Sequence, residues 1–181
     1  MTRYVAFLRG INVGGNRIIK MADLRAALVD AGFADVATYI ASGNVLLTSD
    51  DDETTIARRV ETLIQARYGF HSDTIVRSAA EIGQIAAHHP FAAEQPSAAI
   101  SVYALLLPAL LAAANAAIVA QASTAENTVI VQGREIFWRR VRVPGAAPEL
   151  PKAANKAIGL TTVRDMKTMR KLAELVHVAI A

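Results

Sequence analysis

Tyr4–Leu8 reads Tyr-Val-Ala-Phe-Leu, an unbroken apolar run between Arg3 and Arg9, which is the pattern of a strand buried on both faces. A loop rich in Gly and Asn follows. Met21, Leu24, Leu28 and Ala31 then recur at helical spacing, with Gly32 as the stop. Val36–Ala41 and Asn44–Thr48 read as two short strands around Ser42-Gly43, a tight hairpin signal. The acidic run Asp50–Glu53 stands where a helix dipole favours negative charge. Ile56, Val60, Leu63 and Arg67 mark one face of the helix that follows, Gly69 closes it, and Thr74–Arg77 is a last short strand. The order is β-α-β-β-α-β, the split βαβ of a ferredoxin-like plait.

The rest of the chain approximates the same order. A linking helix over Ala79–Ala87 and a loop around His89-Pro90-Phe91 lead to a strand at Ser101–Leu107. A helix is expected over Ala109–Ala120, then a hairpin of Thr128–Gln132 and Glu135–Val143 turning at Gly133. Glu149–Ile158 is expected to be partly helical, with Pro148 and Pro151 limiting its start. The last helix is expected over Asp165–Val178, opened by the capping-box spacing Thr162-x-x-Asp165 and striped by Met166, Met169, Leu172 and Val176. The fold class predicted is α+β, two tandem ferredoxin-like subdomains with mostly antiparallel sheets. Their expected spans are residues 1–77 and 98–181, with a connecting helix and loop over 78–97.

Composition narrows the function classes. Of 181 residues, 53% are hydrophobic and 36 are alanine, so there is ample apolar surface for a packed core and no case for disorder. With no cysteine, a disulfide scaffold, a thiolate-ligated zinc or iron–sulfur centre and a cysteine nucleophile are excluded. The N-terminus does not read as a secretory signal. Ala104–Ala120, the most apolar stretch, is short, Ala-rich and interrupted by Pro108 and Asn115. A cytoplasmic protein with no membrane partner is expected. Residues 1–132 carry a net charge of −3 and residues 133–181 one of +6. A basic segment of this size serves solubility as readily as an anionic partner.

Several motifs together resemble one bacterial family. They are Leu8-Arg9-Gly10-Ile11-Asn12-Val13-Gly14-Gly15, Lys20-Met21-Ala22-Asp23-Leu24-Arg25, Gly32-Phe33 and Thr38-Tyr39-Ile40-Ala41-Ser42-Gly43-Asn44-Val45. Tyr68-Gly69-Phe70, Ile75-Val76-Arg77, Pro90-Phe91, Thr161-Thr162 and Lys171-Leu172-Ala173-Glu174-Leu175 extend the likeness over nearly the whole chain. The family is the uncharacterised domain-of-unknown-function family numbered 1697. The resemblance implies two α/β plaits and no particular activity. The chain departs from the family pattern at Thr161-Thr162-Val163-Arg164-Asp165-Met166 and at Ala147-Pro148-Glu149-Leu150-Pro151-Lys152.

Gly10-Ile11-Asn12-Val13-Gly14-Gly15-Asn16-Arg17 has the glycine spacing of a phosphate-cradling loop, but Asn16 stands at the lysine position and Arg17 at the hydroxyl position. That argues against a nucleoside triphosphatase. What remains is a turn exposing backbone N–H groups beside a helix start, bracketed by Arg9, Arg17 and Lys20. In a plait, the first βα loop, the central hairpin turn and the second αβ loop emerge at one end of the sheet. Arg9–Arg17, Ser42-Gly43-Asn44 and Tyr68–His71 are therefore expected to cluster. The candidate ligand-binding residues are Arg9, Asn12, Gly14, Gly15, Arg17, Ser42 and Asn44, for a small anionic or polar ligand. The competing reading is local: the glycines supply positive-φ turns, and the asparagines satisfy loop backbone.

Two other classes stay open. A metal-independent enzyme would use the same end, with Arg9 as electrostatic stabiliser and Ser42 or His71 in proton transfer. Single-stranded nucleic acid could meet the strand at Glu135–Val143, whose alternation puts Ile136, Trp138, Arg140 and Arg142 on one face. No RNA-recognition signature accompanies it. The adjacent His88-His89 and the solitary His71 and His177 do not have metal-ligand spacing, and no cofactor or metal is expected.

Overall fold

The structure, a computed structural model, describes residues 1–88, 90–91, 99–142 and 149–177. His89, Val143, Ala147, Pro148 and Val178 lie outside the described residues. The chain divides into two compact units, Met1–Gln84 with Arg170–Ala181, and Ile85–Met169.

In the first unit the order is β1 (Thr2–Leu8), α1 (Met21–Asp30), β2 (Ala34–Tyr39), β3 (Asn44–Ser49), α2 (Glu53–Tyr68), β4 (Thr74–Ser78) and α3 (Ala79–Ala87), which continues into the second unit. The sheet order is β2-β3-β1-β4, with β1 antiparallel to both β3 and β4. Strand alternation sends Ala6, Leu8, Val45, Leu47 and Val76 to the side covered by the helices, where they meet Leu24 and Leu28 of α1 and Ile56, Val60 and Ile64 of α2. The opposite face is also buried, at Val5, Phe7, Leu46, Ile75 and Arg77, which is why β1 and β3 read as continuous apolar runs.

The acidic run starts α2 by a specific bond. Asp52 accepts from the Thr55 N–H at 2.7 Å, and that bond holds its carboxyl below the usual range. Gly69, at φ 77°, closes the helix in the left-handed conformation. The inward stripe uses Ile64, while Leu63 is half-buried and Arg67 is exposed. The central connection differs from the tight turn expected. β2 ends at Tyr39, so the link is the four-residue segment 40–43, with Ile40 at φ 51° and Gly43 at φ 81°.

The second unit contains β5 (Ile100–Leu106), α4 (Ala113–Ala120), β6 (Asn127–Gln132), β7 (Glu135–Val141), α5 (Lys152–Ile158) and β8 (Thr162–Asp165). Its sheet order, β6-β7-β5-β8, repeats that of the first. Two expectations change here. α4 begins at Ala113 rather than Ala109: Leu107 still donates to the Arg134 carbonyl at 2.9 Å, and residues 108–112 connect the sheet to the helix. Thr162–Asp165 is not a helix start but an edge strand paired with β5. The cap of α6 (Met166–Val176) is Asp165 alone, accepting from the Thr168 N–H at 2.7 Å. Four residues of alternation beside a capping-box spacing are too short for the strand to show in the sequence. No helix among the described residues is long and apolar enough to cross a membrane.

Candidate functional site

The loop between β1 and α1 is a miniature hairpin. Val13 and Asn16 bridge, and Gly14 and Gly15, at φ 61° and 76°, form the two-residue turn between them. Both turn positions need positive φ, so the glycine pair is required by the turn itself.

Asn12 ties this loop to its neighbours. Its Nδ2 donates to the Ile19 carbonyl at 3.1 Å and the Ala41 carbonyl at 2.9 Å, and its Oδ1 accepts from the Ile19 N–H at 2.8 Å. Leu8 N–H donates to the Gly43 carbonyl at 2.8 Å, and Arg9 N–H to the Asp73 carbonyl at 2.9 Å. Ser72 Oγ returns a bond to the Arg9 carbonyl at 2.9 Å. The three segments that plait topology assigns to one end are thus bonded to one another.

Within this cluster the candidate residues separate into two groups. Asn12 and Asn44 serve the backbone. Asn44 is fully buried, and its Nδ2 donates to the Tyr39 carbonyl and to Ser42 Oγ at 3.0 and 3.1 Å. Neither amide presents itself to a ligand. Arg9, Gly14, Gly15, Arg17 and Ser42 are exposed. Arg9 Nη1 lies 3.5 Å from Asp73 Oδ2, and the Arg17 guanidinium sits 5.6 Å from the centre of the Phe70 ring. Burial pushes the nearby Tyr68 phenol up.

Asp73 is the residue that sequence reading passed over. Its Oδ1 is 3.0 Å from His71 Nε2 while its Oδ2 faces Arg9. The signal available was the spacing His71-Ser72-Asp73 on an extended segment, where alternate side chains share a side.

Backbone strain concentrates here. Of the four non-glycine residues with positive φ among the described residues, three lie at this end: Asn12, Arg17 and Ile40. Asn12 is explained by its bonds. Ile40 is not: it is β-branched and half exposed, so neither its side chain nor core packing favours φ 51°. Ile40→Gly is expected to raise stability by about 0.5–1 kcal/mol, relief of left-handed strain outweighing the entropy that glycine adds to the unfolded chain. Urea unfolding measures it, and a loss of stability would show that the conformation carries no strain.

The basic strand has a different disposition. Trp138 is only 6% exposed, packed with Val119, Ala154 and Ile158 beneath the helices, and its Nε1 donates to Asn127 Oδ1 at 2.8 Å. It offers no open face for stacking a base. Arg140 is half-buried, and Arg142 is exposed with its Nε 3.2 Å from Ser101 Oγ. On β8, burial lowers the Arg164 guanidinium to about 10. No group of three or more His, Asp or Glu residues among the described residues is arranged to hold a metal ion.

Among solved structures, the chain is similar to a conserved bacterial protein, SP0830, from Streptococcus pneumoniae. The two share 24% identity and a TM-score of 0.75, over 97% of this chain and 98% of that one. The likeness extends to the whole two-plait architecture and speaks for the fold alone. No curated protein matches the chain. A family model described as a protein of unknown function, DUF1697, matches residues 1–137, so the chain belongs to the DUF1697 family.

Proposed function

We propose that the chain is a cytoplasmic binding module whose site is the loop end of the first unit, and that it takes an anionic or polar ligand through Arg9, Arg17, Ser42 and the exposed N–H groups of Gly14 and Gly15. One observation carries the reading. A left-handed residue that neither packing nor side-chain bonding explains, Ile40, stands in a cluster held together by bonds between three distant segments. Strain of this kind persists where surrounding structure over-determines it, and it gathers at ligand sites. A loop held rigid in advance also loses little entropy when its ligand arrives.

A thermal-shift panel of inorganic phosphate, nucleotides, sugar phosphates and carboxylates tests this, run beside Arg9→Ala and Arg17→Ala. A ligand at about a hundred times its dissociation constant adds roughly 2.7 kcal/mol, or on the order of 5–10 °C for a chain of this size. The shift is expected in the parent and reduced in both variants. A panel without any shift, or a shift that both variants keep, sinks the reading.

The contact between His71 and Asp73 favours a second reading, a metal-independent enzyme at the same end. With Nε2 turned to the carboxylate, Nδ1 is left to exchange a proton with a substrate whose charge Arg9 stabilises. Under this reading His71→Gln leaves ligand affinity in place and abolishes turnover.

A further inference from the structure

The loop end exposes aliphatic side chains as well as charge. Residues 13–18 are all exposed, and within them Val13 and Ile18 are each 68% open to solvent. Ile40, 50% open, precedes Ala41, whose carbonyl the Asn12 side chain holds together with that of Ile19. The same bonds therefore bring the segments bearing Ile18 and Ile40 to one place, with Val13 following Asn12 directly. Arg17 and Lys20 are exposed beside them. Asp73 already faces Arg9 and His71.

We propose that this surface docks a peptide segment of a partner protein that carries adjacent acidic and aliphatic side chains. The inference rests on the anion-binding reading above and names its ligand class. Charge complementarity selects the acidic component: the exposed cations Arg17 and Lys20 flank the aliphatic residues. The aliphatic component follows from Val13, Ile18 and Ile40, which a small hydrophilic anion would leave in water. The aliphatic residues flank a projecting two-residue hairpin turn, which an extended partner can wrap, whereas a compact apolar ligand needs a concave site. The other macromolecular partners fit less well. Interfacial lipid insertion favours Trp, Phe and Leu, whereas the aliphatics here are Val and Ile. Single-stranded nucleic acid needs open aromatic faces, and Phe70 lies under Arg17 while Trp138 is buried.

The test is to pan a random peptide display library on the full chain, resynthesise the enriched peptides and measure their binding. The comparison is the double variant Val13→Ser, Ile18→Ser, with Ile40→Ser as a second probe and thermal midpoints confirming that each variant folds. Enriched sequences are expected to place Asp or Glu beside Leu, Ile or Val, and their affinity to fall about tenfold or more in the double variant and in Arg17→Glu. The inorganic phosphate shift, which depends on Arg9, should survive the loss of Val13 and Ile18. Failure of the peptide proposal and failure of the anion site therefore give different results. Absence of enrichment, enrichment of peptides without acidic residues, or affinity unchanged in the double variant overturns the proposal. Co-sedimentation with phosphatidylserine–phosphatidylcholine vesicles that the double variant loses also overturns it, in favour of lipid.

Discussion

Gly43→Ala is expected to destabilise the chain by about 3–4 kcal/mol, combining left-handed strain and overpacking. Gly43 sits at φ 81°, and a Cβ built there would lie 2.9 Å from Leu8 Cβ and 3.0 Å from Ile11 Cδ1. Neither neighbour can yield easily. Leu8 is fixed in β1, where its N–H donates to the Gly43 carbonyl, and both Leu8 and Ile11 are buried. A left-handed alanine costs roughly 1–2 kcal/mol, and an extra carbon forced into a packed core roughly 1–3 kcal/mol. For a chain of this length the midpoint should drop by about 10 °C. Gly15→Ala is the control. Gly15 has φ 76°, yet nothing lies within 4 Å of its added Cβ, so it isolates the backbone contribution at about 1 kcal/mol. Equal losses in the two variants would show that the close approach of the loop over 40–43 to β1 is not tight in solution.

Gly43 also illustrates what the sequence made legible. Ser42-Gly43 announces a turn between two apolar strands, and plait topology assigns that turn to the same end as the loop after β1. What did not follow is why glycine is needed: the reason is the approach of Leu8 and Ile11, distant in sequence from residue 43. β8 was hidden for another reason. Its four residues alternate buried and exposed, and a strand so short is defined by its partner β5 rather than by its own pattern. The structure exposes a correspondence between the units that the strand's absence concealed. Val76-Arg77-Ser78 leads into α3 as Val163-Arg164-Asp165 leads into α6. Each arginine is buried, and each following residue caps its helix: Ser78 Oγ accepts from the Glu81 N–H at 3.3 Å, and Asp165 accepts from Thr168.

The candidate site divides along the same line. Arg9 and Arg17 were legible as exposed cations because arginine beside glycine in a polar loop seldom finds burial. Asn12 and Asn44 were not separable from them by residue type, since an amide serves a ligand or a backbone equally well. Which it serves depends on atoms brought from other segments. The pairing of His71 with Asp73 lies within three residues, yet the spacing alone gives it no meaning, because that depends on Arg9 arriving from the loop after β1.

Asn12→Ala distinguishes the two uses of that amide. Three hydrogen bonds disappear, leaving the Ile19 N–H, the Ile19 carbonyl and the Ala41 carbonyl without the partner they have now; Ile19 is buried, so water does not readily replace it. Alanine must also hold φ 55°, where asparagine is tolerated. At about 1 kcal/mol for each bond and a further fraction for the backbone, the expected loss is about 3–4 kcal/mol. Asn12→Asp should lose nearly as much. It preserves the shape and the acceptor for Ile19 N–H, but turns an oxygen in place of Nδ2 toward two carbonyls. Urea unfolding of both variants measures these losses, and phosphate titration of whatever folded fraction remains measures the ligand. A stabilising residue predicts lower unfolding free energy with intrinsic affinity retained wherever the loop is folded. The opposite pattern, unchanged stability with lost affinity, would return Asn12 to the ligand site and make the hydrogen bonds to Ile19 and Ala41 incidental.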